Sequence, residues 1–162
     1  MKTLKGMANI FGVIIAAAAT MAVAECAQSH TYGIVHVNGT LFCSCNGNET
    51  SNTPPPSSSS SPPFHNAKVR VQCTADVIAN ERAPSDVTKS NGAYLVVLVP
   101  RPNAAVSSIL SACKIFVLTP LASCHPSLPQ AGLVSSLKYV ETVPFGSLYI
   151  TYLAASGFTL RV

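Results

Sequence analysis

Hydrophobic and polar residues alternate along much of the chain beyond residue 32. From Gly33 to Cys45 the odd positions read Gly, Val, Val, Gly, Leu, Cys, Cys, and the even ones run from Ile34 through His36, Asn38, Thr40 and Phe42 to Ser44. Side chains of an extended strand point alternately to opposite faces, so this pattern predicts a strand with one buried face. Lys68 to Cys73 repeats it: Val69, Val71 and Cys73 are directed inward, and Lys68, Arg70 and Gln72 outward. Ala93 to Val99 (AYLVVLV) is apolar on both faces and predicts a central strand, preceded by the turn signal Ser90-Asn91-Gly92. Cys113 to Thr119 predicts another strand, stopped by Pro120, which has no amide hydrogen to give a ladder. Leu133 to Val143 and Leu148 to Leu153 complete the set, with a turn at Pro144-Phe145-Gly146.

Helical periodicity is confined to one short turn between Ala104 and Ala112. About six to seven short strands separated by turn signals predict an all-β domain, a single small antiparallel sandwich or barrel. One segment stands apart. Ser51 to Pro63 (SNTPPPSSSSSPP) holds almost nothing that could be buried, and its prolines remove backbone donors. It predicts an exposed, disordered loop inside the domain, with prolines that a plant-type secretory pathway would hydroxylate and glycosylate.

The first residues change the setting. Lys2 and Lys5 precede an apolar run, Ile10 to Val23, that closes on Ala22-Val23-Ala24. That order of basic start, apolar core and small residues is a secretion signal, and the run is shorter than the roughly 20 residues a membrane span needs. The expected division is a signal peptide over 1–24 and a secreted, extracellular domain over 25–162, with no transmembrane segment after cleavage.

Charge is scarce. Only 10% of residues are charged, against about 25% in an average globular domain. Beyond Ala24, eight basic residues face six acidic ones, a net charge of +2. So weak and scattered a balance excludes a nucleic-acid partner, which selects clustered Lys and Arg. Solubility then rests on Ser, Thr, Asn and attached sugar, and a chain of this kind suits waxy or wall surfaces.

All the cysteines lie beyond the signal: Cys26, Cys43, Cys45, Cys73, Cys113 and Cys124. An even number in an oxidising compartment predicts a disulfide framework, whose pairing sequence alone does not choose. If the first strand continues through Cys45, then Cys43 and Cys45 share a face about 6.5–7 Å apart at Cα, at or beyond the usual disulfide span. Each then reaches its own partner, with Cys113 and Cys124 the natural candidates. A zinc site wants further ligands at characteristic spacing, and a redox site wants C-x-x-C; neither pattern is present, so no metal or cofactor is expected.

Two sequons without proline, Asn38-Gly39-Thr40 and Asn48-Glu49-Thr50, mark Asn38 and Asn48 as N-glycosylation acceptors. The common nucleophile, zinc-protease and phosphate-loop motifs are absent. The histidines His30, His36, His65 and His125 and the carboxylates are scattered. Catalysis is not expected.

Taken together, NGTLFCSCNGN, FHNAKVRVQC, TKSNGAY, SACKIFVLTPLASC and SSLKYVETVPFGSLYITYLAASGF resemble the phylloplanins, within the pollen Ole e 1 and extensin-like superfamily of plants. The resemblance spans roughly Thr31 to Phe158, interrupted by the Pro/Ser insert. It implies a small β-barrel or sandwich without an active site, secreted onto plant surfaces and inhibiting germination of fungal or oomycete spores. The partners it implies are microbial surfaces or cell-wall and cuticle components; oligomeric state is left open. Its core cysteines correspond to Cys43, Cys73, Cys113 and Cys124. The superfamily pattern implies Cys43 with Cys124 and Cys45 with Cys113, which leaves Cys26 for Cys73. The Pro/Ser insert departs from the phylloplanins and leans toward wall-associated relatives, so the competing expectation is a cell-wall structural or interaction glycoprotein.

Overall fold

A computed structural model describes residues 33–48, 61–79 and 83–161. The expected signal segment and Cys26 lie outside them, as does most of the Pro/Ser stretch. The strands are β1 (Gly33–Thr40), β2 (Lys68–Cys73), β3 (Ser85–Val87), β4 (Ala93–Leu98), β5 (Cys113–Val117), β6 (Leu133–Phe145), β7 (Leu148–Ala155) and β8 (Thr159–Leu160). Among the described residues, helix α1 (Val106–Ala112) leads into β5, and a 3-10 turn (Leu121–Ser123) follows it.

Seven strands form one sheet in the order β3-β2-β5-β6-β7-β1-β4, and the short β8 pairs with the start of β6. The sheet curls until its two ends meet, where the Asp86 carboxylate on β3 accepts a hydrogen bond from the Leu95 amide on β4 at 2.8 Å. The result is a nearly closed β-barrel. Every ladder is antiparallel except one: β1 runs parallel to β7, with Gly33 beside Tyr149 and Val37 beside Leu153. The expectation of a wholly antiparallel sheet is corrected at that seam.

The core is what the alternation selects. Val35 and Val37 of β1, Val69 and Val71 of β2, Ile115 and Val117 of β5 and Leu153 of β7 are fully buried. β-branched side chains fit a pleated, half-buried surface. Leu41, Phe64, Ile109 and Leu121 plug the barrel from its connections. Gly39 faces inward opposite Tyr94, and a Cβ there would stand 2.6 Å from the phenol oxygen, so glycine leaves room for the ring.

Three further expectations are corrected. The strand read through Cys45 ends at Thr40: Leu41 still donates to Gly92 in register at 3.0 Å, but Phe42 turns its amide back to the Gly47 carbonyl at 3.0 Å. Ala93 to Val99 is not central: β4 closes the strand order, and its outward Leu95, Val97 and Val99 are exposed. Finally, the Pro/Ser stretch does not stay outside the fold to its end. Pro62 accepts the Cys43 amide at 2.8 Å and Pro63 bridges to Phe42. Proline lacks an amide donor, yet its carbonyl still accepts.

Candidate functional site

The cysteine corner lies where β1 ends. Phe42 donates its amide to the Gly47 carbonyl at 3.0 Å, and Gly47 donates to Ser44 at 3.0 Å. The Asn46 carboxamide oxygen accepts from both the Ser44 hydroxyl (2.9 Å) and the Asn48 amide (3.1 Å). Gly47 has φ +66°, a left-handed conformation that favours glycine, and it sits against Leu41, Leu133 and Phe158. This tight turn buries Cys43 and swings Cys45 out to solvent.

Cys43 is bonded to Cys124, as the resemblance implied, and the bond ties the end of β1 to the turn after Leu121–Ser123. The other implied pairings are corrected. Cys113 is bonded to Cys73, not to Cys45. The reason is register: β2 and β5 run antiparallel with Cys73 directly opposite Cys113. Cys45 has no disulfide among the described residues. Beside it lies an open groove of about 650 Å³ lined by the turn, Leu128 and Phe158–Leu160.

Both sequon asparagines are exposed, Asn38 on the outward face of β1 and Asn48 at the turn's end. The histidines are not brought together. His36 meets the Tyr152 ring edge-on at 5.4 Å. His65 is exposed in a turn. The His125 Nδ1 lies 2.7 Å from the Ser127 hydroxyl, a local contact within an exposed turn. Among the described residues, no three of His, Cys, Asp and Glu are grouped to hold a metal ion, and no helix is long and apolar enough to cross a membrane.

Among the described residues, one ionisable group is clearly perturbed. Burial pushes the Tyr94 phenol up to about 12 from 10.0, because the low-dielectric interior disfavours the phenolate. The folded value exceeds the unfolded one. Tyr94 therefore contributes stability that is fully present below about pH 10 and is lost as pH rises towards about 12. In a spectrophotometric titration the Tyr94 phenol should ionise at about pH 12 rather than at 10.0. Tyr94→Phe should flatten the fall in melting temperature across that window; an unchanged slope contradicts the assignment.

Sequence reasoning missed two features of the surface. The first is that β6 runs on through Pro144 and Phe145, so the tip of the expected hairpin projects Phe145 and Leu148 into solvent. The second is the separation of charge from apolar surface around the barrel. Outward on β2 and β5 stand Lys68, Arg70 and Lys114. β1, β4 and β7 carry no Asp, Glu, Lys or Arg at all.

Residues 31–162 match the family model described as "Phylloplanin: Phylloplanin antifungal protein". A curated protein named Phylloplanin, from Nicotiana tabacum, is 32% identical over 131 residues, covering 78% of this chain and 77% of its own. No solved structure matches.

Proposed function

The chain belongs to the phylloplanin family, and from that premise we propose that it is a secreted plant surface protein that inhibits germination of fungal or oomycete spores. The observation that carries this reading is the family match over 31–162, the stretch that folds into the disulfide-linked barrel. A signal sequence over 1–24, low charge and exposed sequons at Asn38 and Asn48 support an extracellular setting. The working surface is the barrel exterior, and its partners are microbial surface or cuticle components. Pairing of Cys26 with Cys45, which has no disulfide among the described residues, belongs to the same proposal. Wider kinship with the Ole e 1 and extensin-like superfamily is part of the same proposal.

A second reading, an interaction glycoprotein of the cell wall, draws on the Pro/Ser stretch at 51–63. Two measurements separate them. The surface reading expects recovery in a gentle aqueous wash of intact tissue, and dose-dependent loss of spore germination with the purified protein. Release only by salt or glycan digestion, with no effect on spores at saturating dose, would overturn it in favour of the wall.

A further inference from the structure

From the outer face of β7, β1 and β4 and the hairpin tip beside it, we infer that the protein docks on a neutral long-chain alkyl surface, with the hairpin tip leading. The register places the residues in rows. Ile34 of β1 lies beside Ile150 of β7, which pairs with Val143 of β6. Val97 of β4 pairs with His36, next to Tyr152. At the top the row ends in Phe145 and Leu148, paired across the turn and 69% and 45% exposed.

Charge selects the occupant. A formal charge is costly to move into a low-dielectric phase. This sector of three strands has none, and Thr142 to Leu160 is a run free of Asp, Glu, Lys and Arg. Lys138 and Glu141 of β6 stand at its margin with opposite signs. At the other margin, where the barrel closes, Asp86 of β3 accepts from the Leu95 amide of β4 and Lys68 and Arg70 of β2 lie one short strand beyond, so that margin too carries both signs. A barrel built this way orients at a boundary between an apolar phase and water, apolar side down. Binding to an anionic bilayer would call instead for Lys and Arg flanking the apolar tip, and here the flanking charges cancel.

A second copy is a weaker occupant. The upper part of β6 lies beyond the residues that pair with β5, which end at Ser136. That stretch carries the devices that blunt strand-to-strand pairing: Lys138, an irregularity between Tyr139 and Glu141, and Pro144. Asn38 lies four residues along β1 from Ile34 toward the other end of the face, so a glycan there leaves the tip clear.

The test is adsorption of the purified mature protein to an octadecyl-coated sensor, beside bare silica and neutral and anionic phospholipid vesicles. The native protein should bind the alkyl layer most tightly. The double variant Phe145→Ser, Leu148→Ser should bind it at least about thirtyfold more weakly, since two large apolar side chains no longer leave water. Lys68→Ser with Lys114→Ser should bind as the native protein does. Circular dichroism and melting temperature confirm that both variants fold, which is expected because the substituted side chains are exposed. Alkyl binding unaffected by the hairpin variant overturns the inference. So does tighter binding to anionic vesicles that is lost with the lysines, or self-association abolished by the hairpin variant without alkyl binding. Adsorption and germination inhibition are separate readouts, and failure of either leaves the other standing.

Discussion

Replacing Cys43 and Cys124 together by alanine should lower the free energy of unfolding by about 4 kcal/mol, measured by guanidinium titration of the oxidised protein. The bond joins residues 81 apart in sequence. Closing so long a loop removes much of the unfolded chain's freedom, about 4–5 kcal/mol in the chain-entropy description. The folded side adds to this. Cys43 is buried, and its bond fastens the end of β1 to the turn beside Leu121, at a corner where no ladder joins the two segments. Replacing Cys73 and Cys113 should cost less. Their loop is 40 residues, and the β2–β5 ladder already holds them opposite one another. Each halving of loop length removes about 0.6 kcal/mol of closure entropy. Peptide mapping without reduction accompanies the measurement, with Cys43–Cys124, Cys73–Cys113 and Cys26–Cys45 the linked pairs. A Cys45–Cys113 peptide, or a loss under about 1 kcal/mol, contradicts the corner's role.

Thr88→Val should cost about 3 kcal/mol, although the two side chains have nearly the same shape. Thr88 is almost fully buried. Its hydroxyl donates to the Phe64 carbonyl at 2.5 Å and accepts from the Ala67 amide at 2.8 Å. Valine fills the same space and leaves both backbone groups without that partner, each worth about 1–3 kcal/mol when buried and unsatisfied. The segment held in this way sets Phe64 into the core just after Pro63 bridges to Phe42. Thr88→Ser separates the two causes. It keeps the hydroxyl, loses one methyl group and should cost about 1 kcal/mol. Equal losses in the two variants would show that packing, not hydrogen bonding, is what Thr88 supplies.

Much of the barrel was legible from the two-residue period, because burial of one face imposes it locally. β1, β2 and the β6–β7 pair stand close to where Gly33–Thr40, Lys68–Cys73, Leu133–Val143 and Leu148–Leu153 alternate. β3 and β8 were not legible: three and two residues are too short to show a period. The parallel β1–β7 seam leaves no mark on either strand, since the neighbour's direction does not alter which residues face inward.

The cysteines show both kinds of error. Alternation counted from Gly33 to Cys45 puts Cys45 on the buried face, although the Asn46-Gly47 that follows is itself a turn signal. The Cys73–Cys113 bond was written in mirror image, Val69-x-Val71-x-Cys73 against Cys113-x-Ile115-x-Val117. Antiparallel pairing of two such segments superposes their ends. β4 misled for a different reason. Apolar residues on both faces predict a strand covered on both sides, and here the outer side faces solvent. Thr88 could not be found from sequence, because its partners are backbone groups 21 and 24 residues away.

The proposed inhibition of germination belongs to the folded, disulfide-clamped barrel and not to the composition of its chain. The direct measurement is spore germination against a dose series of native mature protein, beside the same protein reduced and alkylated. Inhibition by the native protein that disappears on reduction is the predicted result. Equal inhibition by the unfolded chain, or none from the native protein at saturating dose, would contradict it.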